Sequence, residues 1–249
     1  MKTVILGSGN VAYHLAKAFY LNNIEVSQIY GRNEKALAEI SENFNIPYSI
    51  SDLQDAELYI ICVNDDAVKE ISTLITKKDC LVAHTSGSLP KEILTGDYCK
   101  ASFYPLQTLS KTKDLVYKEI PFFIEAENNE DIIALKSLAL KISDKVISST
   151  YEKRKYVHLT AVFACNFVNH LYARAKEISD AQEIPFDYFW PLIEETTSKI
   201  REIEPKLAQT GPAVRNDLRI LELHQELLKE MPLEIYKTMN KSIKEMYEL

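Results

Sequence analysis

Glycine is scarce in this chain, with six residues in 249, well under the usual share of about 7%. Three of the six, Gly7, Gly9 and Gly31, fall within the first 31 residues. A sequence that avoids glycine elsewhere has placed it where backbone must pass close to something. Cysteine is sparse too. Cys62, Cys80, Cys99 and Cys165 are far apart and form no CxxC or Cys/His spacing, so neither a disulfide framework nor a metal site is indicated and reduced thiols are expected. There is no basic block, and the net charge is −7, which leaves nucleic acid and anionic membrane surfaces without support as partners. No apolar run approaches the roughly 18 residues of a membrane helix. The opening MKTVILGSG is too short in apolar residues for a signal-peptide core. The expected location is cytoplasmic.

What is present is an ordinary globular balance, 46% hydrophobic and 26% charged, enough for one large domain or two smaller ones. β-rich runs at residues 2–6, 25–30, 58–63, 80–84, 101–104, 122–125 and 145–148 alternate with helical patterns at 10–21, 34–43, 66–75 and 130–142. A short helix fits 90–94. Such alternation implies right-handed βαβ units and a parallel sheet covered on both faces. From Tyr151 the pattern is helix alone, at 151–179, 186–203, 217–229 and 233–247. The predicted fold is α/β: a Rossmann-type, mostly parallel sheet over 1–150, followed by an all-α domain over 151–249. A helical unit of that size can draw part of its core from its neighbour or a second subunit.

Residues 7–12 read Gly-Ser-Gly-Asn-Val-Ala, a GxGxxA motif that follows a strand and opens a helix. Gly7 permits the tight turn, Gly9 lets backbone approach a pyrophosphate, and Ala12 lets helix pack on strand. The helix N-terminus, from Ser8 through Asn10 and Val11, offers N–H groups to the phosphates. At the end of the second strand, NAD-binding folds usually carry an acid for the ribose hydroxyl. Here the segment is Ile29-Tyr30-Gly31-Arg32-Asn33. Arg32 suits a 2′-phosphate and Asn33 can add a hydrogen bond while capping the next helix, so NADP(H) is the expected cofactor. Two later strand ends overhang the same edge. They bring Asn64, and the polar loop His84-Thr85-Ser86-Gly87-Ser88, in which Ser86 and His84 are candidates for contact with nicotinamide and substrate.

Taken as one continuous helix, residues 151–179 place Lys155, His158, Asn166 and Asn169 within about 80° of arc, with His158 and Asn166 about 12 Å apart along the axis. The rest of the circumference is largely apolar. That polar stripe faces either a cleft, with His158, Lys155 and Asn166 as catalytic candidates, or a subunit contact. Farther on, Arg215 comes after a Gly-Pro turn and is placed to hold a carboxylate or phosphate, or to pair with Asp217.

GSGNVA, VNDDAV, HTSGS, FYPLQTLS, HLTAVFACNFVNHLY and TGPAVRND together resemble a bacterial family of NADP oxidoreductases in which a Rossmann-like domain precedes a helical domain of unknown function. The likeness runs essentially end to end, and TGPA-x-R is its most distinctive part. In domain order the chain is more distantly similar to pyrroline-carboxylate reductase, ketopantoate reductase and the β-hydroxyacid dehydrogenases. That likeness implies reduction of C=O or C=N with NADPH in a cleft between domains, in dimers with interlocking helices. Many members of the family carry His-Pro where this chain has Tyr104-Pro105, and Arg-Gly-Asp where it has Arg215-Asn216-Asp217. A catalytic histidine at 104 is therefore unavailable. Lys155 and Asn166 lie on the helix comparable to the one that carries the catalytic Lys and Asn of β-hydroxyacid dehydrogenases, at a different spacing.

The expected function is an NADP(H)-dependent oxidoreductase of a small carbonyl or imine, homodimeric through its helical domain. In it His158 or Lys155 gives the proton, Asn166 orients the carbonyl, and Arg215, His84 and Gln107 contact substrate. The competing expectations are a dinucleotide-binding sensor without turnover, and an enzyme that uses a deazaflavin in place of NADP.

Overall fold

The computed structural model describes all residues, Met1–Leu249. Apolar runs form the strands β1 (Thr3–Leu6), β2 (Val26–Tyr30), β4 (Leu58–Ile61), β5 (Leu81–His84), β6 (Cys99–Pro105) and β7 (Phe122–Ala126), with short strands β3 (Tyr48–Ser49) and β8 (Val146–Ser148) at the margins. Between them lie α1 (Asn10–Leu21), α2 (Glu34–Phe44), α3 (Asp65–Ser72) and α4 (Asn129–Ala139). The eight strands form one sheet in the order β3-β2-β1-β4-β5-β6-β7-β8. All neighbours are parallel except β6 and β7.

Both faces of the sheet are covered, which is why its strands read as continuous apolar runs rather than alternating ones. Ile5, Ile29, Leu58, Ile60, Phe103 and Ile124 pack with residues of α1, α2 and α4 on one face. Val4, Leu6, Tyr59, Ile61 and Val82 pack with Val68 of α3 on the other. The second face turns polar toward β6 and β7. His84, Ser102 and Glu125 stand in register across β5, β6 and β7, and α5 (Tyr151–Ala161) contributes Arg154 to this corner.

The chain divides into two compact units, Met1–Asn166 and Phe167–Leu249. Strands end at Ser148, but α5 belongs with the sheet, so the first unit continues past the end of the strand pattern. The helix expected over 151–179 is not a single α-helix. It runs as α5, then a π-helical segment at Val162–Phe167, then α6 (Val168–Ala181). The second unit consists of α6, α7 (Trp190–Lys199), α8 (Pro205–Ala208), α9 (Leu218–Glu226) and α10 (Glu230–Met246), with a 3₁₀ turn at Phe186–Phe189. Within it only Ser179, Ala213 and Leu221 are buried. No helix is long and apolar enough to cross a membrane.

Candidate functional site

The chain reverses strand order beside β1, whose neighbours are β2 on one side and β4 on the other. In open α/β sheets a crevice opens at that point, at the carboxyl ends of the strands. Here it is a cleft of about 340 Å³ lined by Gly7, Ser8, Gly9, Gly31, Arg32, Asn33 and Asn64. Gly7 has φ +134°, and a side chain there would run into the backbone carbonyl of Cys62. Its N–H donates to the Tyr30 carbonyl at 2.7 Å, which carries the β1–β2 pairing one residue past the end of β1. Gly9 is the N-cap of α1 and is extended rather than left-handed; a Cβ on it would meet nothing within 4 Å. Its hydrogen therefore borders open cleft. No side chain caps α1 and no acid stands in its first turn, so its free N–H groups and positive dipole end remain for an anion. In contrast, the side chains of Asn33 and Asn128 cap α2 and α4.

Arg32 stands at the rim of the cleft with no ion pair in the chain. Asn33 Oδ1 accepts the Ala36 N–H at 3.1 Å, which leaves its amide hydrogens free. Asn64 precedes α3 without capping it. An uncapped helix end, an open glycine and an unpaired guanidinium form a donor set that fits a pyrophosphate and a 2′-phosphate.

A second constellation stands at the carboxyl ends of β5 and β6. The Tyr104 hydroxyl lies 3.0 Å from Nδ1 of His158, with the rings edge to face. Tyr104 is buried, and that burial pushes its phenol up to about 12, against the pull of the nearby Arg154 charge. Gly87 abuts both rings: a Cβ on it would lie 2.8 Å from His158 Cβ, from Nδ1 and from Tyr104 Cζ. Beneath them Arg154, fully buried, donates from one terminal nitrogen to Glu125 Oε2 at 2.5 Å and from the other to the Leu89 carbonyl at 2.6 Å. Glu125 also pairs with Lys91 at 3.2 Å. His84 is wholly buried. Its Nδ1 accepts the Ser86 N–H at 3.2 Å, and burial, with Arg154 adding to it, pushes its ring down to about 4. His84 Nε2, Ser102 Oγ and Arg154 Nε are buried without a hydrogen-bond partner in the chain, and all three belong to this polar corner.

Residues 2–85 match the family described as NADP oxidoreductase coenzyme F420-dependent, and residues 120–243 match the Domain of unknown function DUF2520. A crystal structure of a "putative NADP oxidoreductase" from Bacteroides fragilis is 38% identical, over 100% of this chain and 98% of that one, with a TM-score of 0.93. The chain belongs to that family.

Protein TM1727 from Thermotoga maritima shares the family's fold at 21% identity, with a TM-score of 0.83 over 99% of this chain and 100% of that one. A pyrroline-5-carboxylate reductase from Coxiella burnetii shares it at 14% identity and a TM-score of 0.58, over 98% of each chain. No curated protein matches. The cofactor of this NADP oxidoreductase family is NADP(H), and the cleft at β1 and β4 fits it.

The structure sorts the remaining candidate residues of this family member. Gly7, Ser8, Gly9, Gly31, Arg32, Asn33 and Asn64 come together in the cleft. Asn10 and Val11 offer it backbone only. The Asn10 amide donates to the Leu109 carbonyl at 2.9 Å, and Val11 packs on the core. Ser86 is buried, and its Oγ accepts the N–H groups of Ser88 and Leu89, holding the turn that carries Gly87. His84 has no exposed surface to offer a substrate. Gln107 is exposed, its Oε1 engaged by the Thr108 N–H. Lys155 is ion-paired with Glu152 at 2.5 Å, which raises its pKa further and disfavours release of its proton.

The single stripe does not hold together. Lys155 and His158 precede the π segment, Asn166 lies within it and Asn169 comes after it. Every extra residue absorbed by a π turn rotates the later side chains by about 100° about the helix axis. Arg215 is exposed and unpaired, because Asp217 caps α9 through the Ile220 N–H instead. Tyr104, Arg154 and Glu125 are site residues that the amino-acid sequence does not announce. Of these, only Arg154, one helical turn before His158, leaves a trace in local spacing.

Proposed function

We propose that this protein is an NADP(H)-dependent reductase of a small carbonyl or imine. The carrying observation is the pairing of two constellations on one sheet edge. The glycine loop and Arg32 line one cleft, and an imidazole, His158, stands at the carboxyl ends of β5 and β6. When bound, NADPH supplies the hydride. His158 supplies the proton: it is half-buried, and its Nε2 makes no hydrogen bond within the chain, which leaves that nitrogen for the substrate oxygen or nitrogen. Lys155, held by Glu152, is the poorer donor.

Calorimetric titration with NADPH and NADH tests the cofactor part. NADPH binds more tightly, and Arg32→Ala weakens NADPH by about 1.5–3 kcal/mol, the range of a charge-assisted hydrogen bond, while NADH is little affected. Equal affinities of the wild-type protein for the two cofactors sink the assignment of Arg32. A panel of small keto acids and cyclic imines then tests turnover.

We also propose that the helical unit pairs with a second copy of itself. It buries three residues, while Trp190, Leu192, Leu207, Leu227 and Met231 are each more than half exposed. An apolar groove of about 450 Å³ runs between α6 and α7, lined by Leu171, Ile178, Phe186, Phe189 and Leu192. Contiguous exposed apolar faces mark interaction sites, and a twofold axis lets such a face bury itself against its own copy. Light scattering at micromolar protein reads twice the 28.5 kDa chain mass; a monomer overturns the pairing.

A further inference from the structure

We propose that Tyr104 is a positioning residue for His158: its hydroxyl donates to Nδ1 and leaves Nε2 as the ring nitrogen that meets the substrate. This role rests on the reductase reading above, and it extends that reading to a residue whose type, a buried tyrosine in an apolar strand, announces no chemistry.

The pair is assembled from three separate elements. Tyr104 stands on β6, His158 on α5, and Gly87 on the loop after β5. Hydroxyl and ring nitrogen meet at 3.0 Å. The missing side chain of Gly87 is what admits them, since a Cβ there would press on both rings at 2.8 Å. Gly87 is not in the left-handed region that favours glycine, so room for the pair, not backbone freedom, is what its small size provides. Phe123 packs beside Tyr104 with ring centroids 6.3 Å apart, and Tyr104 is 8% exposed. The phenol therefore has little freedom to swing away.

The protonation state of each group fixes its role. Burial holds the Tyr104 phenol at about 12, so it keeps its hydrogen at neutral pH and is not itself the acid. With the ring neutral, Tyr104 O–H donates to Nδ1 and the ring hydrogen sits on Nε2. With the ring charged, Nδ1–H donates to the Tyr104 oxygen, whose hydrogen turns away, and Nε2–H remains outward. In the proton-transfer step the Nε2–H bond breaks and an O–H or N–H bond forms on the substrate. The charge leaves the ring with the proton, and the neutral ring so formed carries its hydrogen on Nδ1, still donating to the Tyr104 oxygen, until solvent re-protonates Nε2; in the resting neutral ring Tyr104 is the donor. Tyr104 holds one ring nitrogen through both states and so fixes which of the two takes part.

The test is a long-range ¹H–¹⁵N spectrum of protein labelled at histidine, recorded above the titration of the ring and assigned with His158→Gln. The expected wild-type signature is a protonated Nε2 and an Nδ1 resonance moved from the free-acceptor position toward that of a hydrogen-bonded acceptor. In Tyr104→Phe the Nδ1 resonance returns to the free position, NADPH affinity is unchanged, and kcat falls about 10²-fold, the usual cost of a misplaced reacting group. A wild-type Nδ1 that is already free or protonated, or a Tyr104→Phe spectrum identical to wild type, overturns the positioning role. The wild-type spectrum decides alone should the variant fail to fold. NADPH titration is the separate arm. The signature without NADPH binding overturns the reductase reading and upholds the hydrogen bond, whereas NADPH binding without the signature overturns only the role of Tyr104.

Discussion

Replacing Gly87 with alanine removes turnover while leaving cofactor binding in place. The added methyl would stand 2.8 Å from His158 Cβ, His158 Nδ1 and Tyr104 Cζ. Ordinary carbon contacts lie near 3.5–4.0 Å, so the neighbours must move by most of an ångström. Neither neighbour is a flexible chain end. Tyr104 is fixed in β6, and His158 sits on a helix anchored to the sheet one turn earlier by Arg154. The 3.0 Å hydrogen bond between them is the weakest link and gives way first. Displacing a reacting group by about 1 Å costs roughly 10²-fold, and loss of a general acid 10²–10⁴-fold. Gly87 does not line the glycine-loop cleft, so the contacts that hold the phosphates of NADPH are left in place. Overpacking lowers stability by about 1–3 kcal/mol, which thermal melting registers without unfolding the protein at assay temperature. Wild-type kcat in Gly87→Ala would show that His158 does not act at this place.

The half of the molecule set by local chemistry is legible from residues alone. Helix α1 is expected over 10–21 and runs Asn10–Leu21, because a glycine turn starts it and its apolar spacing matches one buried face. The glycine loop, the Arg32–Asn33 end of β2 and the parallel arrangement of β1, β2, β4 and β5 come from the same kind of signal. The features that escape depend on partners distant in the chain. Nothing in the run 122–126 says that β7 pairs antiparallel to β6, since pairing direction leaves no mark on an apolar strand. Strand β3 spans two residues, below what any period can reveal. Tyr104 and His158 lie 54 residues apart, and a tyrosine in an apolar strand reads as core. Arg154, in the first turn of a helix, carries no mark of burial in its sequence neighbours, yet it is fully buried. The stripe from Lys155 to Asn169 fails for a geometric reason: the 100° rule holds only while hydrogen bonds run i to i−4, and residues 162–167 use the wider π turn.

Glu125→Gln and Arg154→Met are expected to cost the protein more stability than Gly87→Ala. The guanidinium side chain has no exposed surface and meets Glu125 at 2.5 Å and the Leu89 carbonyl at 2.6 Å. Glu125 is 13% exposed on its side chain and has Lys91 as a second partner at 3.2 Å. Breaking one side of a buried pair costs about 3–5 kcal/mol, because the other charge is left in a poor solvent. The two variants should not cost the same. Without Arg154, Glu125 keeps Lys91, which places Arg154→Met at the lower end. Without the Glu125 carboxylate, Arg154 loses its only ion-pair partner, which places Glu125→Gln at the upper end. In the double variant no buried charge is stranded, since Lys91 retains Glu92 at 2.8 Å. Its cost should then fall short of the sum of the singles by about 2 kcal/mol, within the range of coupling for residues in direct contact. For a chain of this size each kcal/mol moves the melting midpoint by about 2–4 °C, so the singles drop it by roughly 6–20 °C. Additive single-variant shifts would mean that the pair is not coupled and that α5 is seated by packing alone. Coupling, in contrast, identifies what holds His158 in place. Arg154 precedes it by one helical turn, so the charge pair that docks α5 on the sheet also sets where the imidazole meets Tyr104.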